Sequence, residues 1–289
     1  RRTPFVFNIQ DVFPDVAVEL GAITDPRVIA AASWLERFLY RRADAVTVLS
    51  DDLRDNVAGK LGRHRPERVV VIPNFVDTER IRPTDPDNSY RAENDLTGRT
   101  VVMYAGNVGL SQSLDLVVEA ARRFRDRGRD DVVFVINGGG SALAGLRESA
   151  RGLDNLRFVG MQPRERLPEV LAAGDLHLVP LRTGLARSSV PSKLYSILAA
   201  GRPVLASVDG GTEVATTIER AGAGLSVPPE DADRFVAALE RMLSDRTALA
   251  AMGASGRAFV EGWVSPAAVG AAYEQLFESV RVGRLRTGA

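Results

Sequence analysis

Val101-Val102-Met103-Tyr104-Ala105-Gly106-Asn107-Val108-Gly109-Leu110-Ser111-Gln112-Ser113-Leu114 joins a strand pattern to a helix pattern through a glycine turn. The apolar run Val101–Tyr104 comes first. From Leu114 onward, Leu114, Val117, Val118, Ala121 and Phe124 fall on one helical face, with Glu119, Arg122 and Arg123 elsewhere. Strand, turn and helix in this order build parallel α/β sheets. Glycine lets a backbone approach a ligand closely, and the N–H groups of a helix start favour an anion such as a diphosphate. The Gly-x-x-Gly spacing is not the Gly-x-Gly-x-x-Gly of dinucleotide enzymes, and no P-loop lysine follows, so a plain tight turn fits it as well. A second turn, Asn137-Gly138-Gly139-Gly140-Ser141, follows the next strand and again precedes a helix. Two such turns at the carboxyl ends of adjacent strands point to a nucleotide-type crevice.

The alternation runs through almost the whole chain. Strands are expected at Phe5–Gln10, Ala45–Leu49, Val69–Ile72, Val101–Tyr104, Val132–Ile136, Leu156–Val159, Leu176–Pro180, Val204–Ser207 and Leu225–Val227. They are rich in valine and lack strict alternation, as strands covered on both faces do. The fold class is therefore read as α/β, with two Rossmann-like doubly wound domains, the first one incomplete. Boundaries are expected at 1–82 for the partial first domain, 83–98 for a polar, proline-bearing linker, 99–262 for the second domain and 263–289 for a closing helix and tail. That helix, over Ser265–Arg281 with Ala268, Ala271, Ala272, Leu276 and Val280 as its stripe, is expected to pack across the domain junction. Arg42-Ala43-Asp44-Ala45-Val46-Thr47-Val48 echoes Ala173-Gly174-Asp175-Leu176-His177-Leu178-Val179, either as related halves or as a generic helix-to-strand junction. Because Arg1 leads straight into the strand-like Phe5-Val6-Phe7, the chain is expected to begin inside a domain.

Composition narrows the function. At 289 residues, 45% hydrophobic and 26% charged, this is ordinary globular material for two domains. Basic and acidic residues balance at 37 each, so no cationic field calls for nucleic acid, and none is expected as a partner. The lack of cysteine excludes disulfides, thiolate zinc sites and cysteine nucleophiles. With His64 and His177 the only histidines, no metal centre is expected. No apolar run reaches the roughly 18 residues of a membrane span, and no signal peptide is visible. A soluble, cytoplasmic chain is the expectation. Only Lys60 and Lys193 among the basic residues are lysine, a bias that reads as GC-rich coding.

That bias singles out Arg187-Ser188-Ser189-Val190-Pro191-Ser192-Lys193-Leu194. Ser192 is expected as an N-cap, and Ala200-Gly201 before Pro203 as the helix end. Lys193 then stands in the first helical turn, where a cation opposes the helix dipole unless an anion binds nearby. A fourth turn, Asp209-Gly210-Gly211-Thr212-Glu213, offers Thr212 as a cap. Glu213 serves there either as dipole compensation or as an acceptor for ribose or sugar hydroxyls.

These four turns, in this order, resemble the donor domain of GT-B fold glycosyltransferases, best the retaining family 4 enzymes of bacterial polysaccharide assembly. Val71-Ile72-Pro73-Asn74-Phe75-Val76-Asp77 is similar to the family's Pro-Asn-Gly-Val-Asp stretch, and Asn155-Leu156-Arg157-Phe158-Val159-Gly160 to its Val-x-Phe-x-Gly strand. Leu198-Ala199-Ala200-Gly201-Arg202-Pro203-Val204 resembles its Ala-Ala-Gly-x-Pro-Val signature, and Gly262-Trp263 its closing Ser-Trp. Asn8-Ile9-Gln10-Asp11-Val12-Phe13-Pro14-Asp15 resembles a colanic acid and O-antigen subgroup. The resemblance implies a nucleotide-sugar donor held by the second domain and a glycan or polyprenyl-linked acceptor held by the first. It implies no cofactor and no metal, the leaving diphosphate being stabilised by helix dipole, backbone N–H groups and a basic side chain. Gly106, Asn107 and Gly109 would face the diphosphate. Gly138, Gly139, Gly140 and the loop after Gly160 would border the nucleoside, and Glu213 the ribose or diphosphate.

Some positions depart from that pattern. The family's Glu-x7-Glu reads Ser188 and Ser196 here, and the usual Arg and Lys of its first loop align with Asn107 and Gln112. Lys193, with Ser188 and Ser192, is expected to serve the diphosphate instead, while Lys60 is taken as its inert comparator. Asp11 is the candidate for a catalytic or acceptor-side role, with a helix N-cap as the alternative. A complete first domain would need about a hundred more residues upstream, with acceptor contacts among them. Two other functions fit: a nucleotide-sugar-binding module without turnover, and a GT-B-like sugar-nucleotide epimerase, for which His177 reads as core. A lipid-linked acceptor would bring peripheral association with the inner face of the plasma membrane. Trp34–Arg42 is the best segment for it, though core packing explains that segment equally.

Overall fold

The computed structural model describes residues 3–19, 21–62, 66–184 and 193–283. They fall into two compact units. One runs to Phe75 and takes in the chain from Val264 onward; the other runs from Val76 to Gly184 and continues to Trp263.

In the first unit β1 (Val6–Asn8), β2 (Ala45–Val48) and β3 (Val69–Val71) pair in parallel in that order. Helices α1 (Asp15–Glu19) and α2 (Pro26–Arg42) separate β1 from β2, and α3 (Asp51–Leu61) separates β2 from β3. Local chemistry sets the helix starts. Asp25 caps α2 by accepting from the Arg27 N–H ahead of Pro26, and the Ser50 hydroxyl accepts from Leu53 N–H to cap α3. Ile9, Val12, Val46, Val48, Leu53 and Val57 form the core between sheet and helices.

The second unit holds α4 (Ser89–Glu93), β4 (Thr100–Ala105), α5 (Asp115–Asp126), β5 (Val132–Asn137), α6 (Leu143–Ser149), β6 (Leu156–Val159) and α7 (Leu167–Ala173). It continues with β7 (Leu176–Pro180), α8 (Lys193–Ala199), β8 (Val204–Ser207), α9 (Glu213–Ala221), β9 (Gly224–Val227), α10 (Ala232–Leu243) and α11 (Arg246–Trp263). The six strands are parallel in the order β6-β5-β4-β7-β8-β9. The chain therefore steps outward from β4, returns, and continues on the other side, which makes the gap between β4 and β7 the switch point where such sheets bind ligands. Alternate residues of β4 and β5 enter separate cores. Tyr104 and Phe134 pack with α5 and α10, where Phe124 meets Phe134 edge to face at 5.4 Å, while Met103 and Val135 face the opposite side.

Two expectations about organisation change. Residues 83–98 are folded, not a polar connection: Tyr90 and Leu96 are fully buried against Val101, Met103 and Val133. Arg91, 4% exposed, donates to the Ala173 carbonyl at 2.9 Å and pairs with Asp175 at 2.8 Å. One short helix cannot show periodicity, so the sequence hid its apolar anchors. The closing helix, α12 (Pro266–Arg281), belongs to the first unit and covers one face of its sheet with Val269, Leu276 and Val280 against Ala45 and Ile72. Ala271 is exposed, while Ala272 packs as expected, so the stripe runs through Val269, Ala272, Tyr273, Leu276 and Val280. The internal echo is real at the level of bonds. Asp44 N–H donates to the Phe5 carbonyl and its carboxylate accepts from Phe5 N–H; Asp175 does both with Val101.

Candidate functional site

Chain leaving β4, β5 and β6 converges with α8 on a pocket of about 360 Å³. Met161, Leu167, Val170 and Leu171 form its apolar side. Asn137, Gln162, Arg164, Lys193 and Ser196 supply the polar groups, and among the described residues no carboxylate lines it. Tyr90 donates from its hydroxyl to Asn137 Oδ1 at 2.8 Å, fixing that amide at the carboxyl end of β5.

Lys193 opens α8 as the spacing predicted. Its ammonium donates to the Tyr104 hydroxyl at 2.8 Å and lies 4.1 Å from the centre of that ring. The Tyr104 hydroxyl in turn donates to the Asn107 carbonyl, 2.5 Å away, so the tyrosine holds lysine and glycine turn together. A Cβ added to Gly106 would lie 3.0 Å from Nζ, at a φ of +148°. Among the described residues no carboxylate pairs with this ammonium. Burial lowers the Lys193 pKa from 10.5 to about 8. Arg182, the other cation near the turn, is already neutralised: it donates to the Leu110 carbonyl and to Glu230, and lies 3.5 Å from Asp115.

Two of the glycines have a packing role. Gly138 and Gly140 have φ of +156° and +157°, and Cβ atoms there would lie 1.9 Å from the Gly106 carbonyl oxygen and 2.3 Å from that of Val108. The two turns also exchange backbone bonds, Val108 N–H to Gly139 O and Ala142 N–H to Val108 O. Packing of turn on turn therefore requires these two glycines before any ligand does. Gly139 and Gly160 meet nothing within 4 Å. In the first turn, Gly106 N–H bonds Asn137 O and Gly109 N–H bonds the Gln112 side chain, so these two donors serve the fold.

Gly106 and Lys193 line the pocket, with Asn107 and Gly109 in the turn beside it. Ser196, one turn along α8 from Lys193, is a wall residue. Ser188 and Ser192 lie outside the described residues. Thr212 sits at the N-cap of α9 without capping it, because its hydroxyl donates to the Asp209 carbonyl at 2.7 Å. Glu213, in the first turn, accepts from the Thr217 hydroxyl at 3.0 Å and is not among the lining residues. Asp11 lies exposed in a bend after β1; α1 starts at Asp15, so Asp11 is no N-cap. His177 is fully buried, with Nε2 bonded to the Leu171 carbonyl at 2.8 Å. Lys60 is not inert: it donates to Asp15 and Glu36 at 2.8 and 2.7 Å.

The sequence singles out neither Tyr104 nor Asn137 as a site residue, whereas Met161 and Arg164 belong to the loop after Gly160 that the resemblance implied. Tyr104 stands 89 residues from Lys193, and no local pattern announces such a pairing. Among the described residues no helix is long and apolar enough to cross a membrane.

Comparison with known proteins bears on this arrangement. Residues 1–74 match the glycosyl transferase 4-like domain. A protein of Escherichia coli (strain K12), provisionally named colanic acid biosynthesis glycosyl transferase WcaI, is 32% identical over 247 residues, 82% of this chain and 60% of its own length. The chain thus spans less than two thirds of that relative. Among solved structures, sucrose-phosphate synthase from Thermosynechococcus elongatus superposes with a TM-score of 0.76 at 20% identity, over 98% of this chain and 69% of the other. Anabaena Alr3699/HepE, solved in complex with UDP, gives 0.77 at 15% identity over 96% and 73%. The expected GT-B fold is the one these structures share. Residues 99–245 match the model for glycosyl transferases group 1, and the chain belongs to that family.

Proposed function

We propose that the chain is part of a glycosyltransferase that moves a sugar from a nucleotide-diphosphate sugar to a glycan or lipid-linked acceptor in bacterial surface polysaccharide synthesis. Transfer is retaining and needs no metal. The second unit holds the donor, with the nucleoside in the pocket between the loops after β4, β5 and β6. One observation carries the reading: a half-buried ammonium beside Gly106 that, among the described residues, has no carboxylate partner and no acid lining its pocket. A partly desolvated cation held only by a neutral hydroxyl and ring is costly, and a diphosphate supplies the negative charge.

The chemistry follows from that placement. As the bond from the anomeric carbon to the phosphate oxygen breaks, the carbon becomes cation-like and negative charge gathers on the leaving diphosphate. Lys193 donates to those oxygens, held by Tyr104 so that little reorganisation is needed as charge develops. Gly106 leaves room for the approach.

Lys193→Ala tests it. Charge-assisted hydrogen bonds contribute about 1.5–3 kcal/mol, so nucleoside diphosphate affinity should fall about ten- to a hundredfold. Arg151→Ala, an exposed cation of the same unit, is the control and should change nothing. Equal effects would sink the assignment. Ser196 on the pocket wall, at a position where the family pattern carries an acid, favours a second reading: nucleotide-sugar binding without turnover. Full affinity for the diphosphate with no transfer to any acceptor would select it.

A further inference from the structure

The second unit carries another cavity, of about 150 Å³, at the ends of its strands away from the donor pocket. Thr100 opens β4, Asp175 precedes β7 and Pro203 precedes β8, so this cavity lies at the amino edge of the sheet. Pro203, Leu243 and Leu249 give it an apolar floor, and its charged groups are Arg202, Arg246 and Asp175. The acid is already committed. Asp175 Oδ2 accepts from the Val101 N–H at 2.7 Å and pairs with Arg91 at 2.8 Å. The two arginines are not. Arg202 is half-buried and donates to the Thr84 carbonyl at 3.0 Å, while its Nε is buried without a partner. Arg246 is exposed and donates to the Thr100 hydroxyl at 3.2 Å. Among the described residues neither forms an ion pair, whereas the neighbouring Arg129 is paired with Asp131. Asp245, next to Arg246, accepts from the Ala248 N–H in the first turn of α11. Burial lowers the Arg202 pKa from its ordinary value; Asp175 and Asp85 oppose that shift, and Arg91 adds to it.

We propose that this cavity binds a phosphate group, as inorganic phosphate or as the end of a phosphomonoester. Two guanidinium groups and a hydroxyl over an apolar floor suit a tetrahedral oxyanion, because the planar fork of arginine gives parallel bonds to neighbouring oxygens. The apolar floor keeps water away and strengthens the attraction. Size selects a small ligand. The cavity is well below the roughly 300 Å³ at which pockets for drug-sized molecules begin, so a whole nucleotide does not fit. Charge selects an anion over a sugar or a metal ion, since both free charges are positive and the one lining acid is held by Arg91. The inference is independent of the donor pocket, because no residue lines both.

Thermal unfolding of the intact protein tests it, with inorganic phosphate and with glycerol 3-phosphate, each against sodium chloride at equal ionic strength. Phosphate in one form or the other should raise the second unit's transition, and the shift should saturate. Tighter binding of inorganic phosphate would mark the free ion as the ligand, and tighter binding of glycerol 3-phosphate a phosphomonoester. Arg246→Gln, at an exposed position where the fold should tolerate it, should weaken binding about tenfold or more. Lys193→Ala should bind phosphate as the wild type does. No saturable shift with either probe overturns the proposal. So does a shift that Arg246→Gln leaves intact, the mark of a general salt effect on the folded state. A shift that Lys193→Ala removes overturns it too, by placing the phosphate in the donor pocket.

Discussion

Lys193 is held protonated at a cost to the free protein, and that cost has a pH signature. Its folded pKa of about 8 lies below the ordinary 10.5 because burial disfavours the ammonium. Between those values the unfolded chain binds the extra proton, so stability should rise as pH increases from about 8 to 10.5, with the full penalty present below 8. Lys193→Met should therefore stabilise the ligand-free protein at neutral pH, on the order of 1–3 kcal/mol, while nucleotide affinity is lost. Denaturant unfolding across that pH range, with and without the substitution, checks both halves. The glycines separate in the same way. Gly138→Ala places a Cβ 1.9 Å from a carbonyl oxygen and should cost well over about 2 kcal/mol, whereas Gly139→Ala meets nothing and should stay within about 0.5 kcal/mol. If the Gly139 variant folds normally but binds nucleotide poorly, that glycine faces ligand. The glycine triplet was plain in the sequence; its purpose was not, because the Gly106 carbonyl that demands Gly138 belongs to another turn.

Strands were the most legible elements. Apolar runs buried throughout placed Leu176–Pro180 and Val204–Ser207 with their ends, since burial on two sides leaves few alternatives, and the edge strand Leu156–Val159 was placed as well although only Leu156 is buried. Short or late helices were harder: α4 offers one turn, and α12 joins a unit whose strands lie some two hundred residues earlier in the chain. That distant docking is testable. Leu276, 5% exposed in the small core with Ala45 and Ile72, should cost about 2–4 kcal/mol as Leu276→Ala, and the loss should fall on the first unit's unfolding transition. In β7, burial lowers His177 from 6.5 to about 4. Its contribution is present above pH 6.5 and lost as pH falls from 6.5 towards 4, by about 3 kcal/mol. Calorimetry of the wild type and His177→Phe should show that acid slope only in the wild type.

For the molecule as a whole, the family pattern was readable from loops because the turns after β4, β5 and β8 gather in the second unit, at the carboxyl edge of one sheet. The donor's base was not readable. The Met161–Arg164 wall that would meet it is marked by Gly160 as a loop, but its residue types single out no base. Binding at this edge should stabilise the second unit as a unit: a ligand at a hundred times its dissociation constant adds about 2.7 kcal/mol. The decisive measurement is thermal unfolding with UDP, GDP, ADP and dTDP in turn, in EDTA, for the wild type and Lys193→Ala. The expected result is a shift of the second unit's transition by one of the four in the wild type, lost in the variant. No shift with any of them, or one that Lys193→Ala leaves intact, would contradict a donor site built around that ammonium.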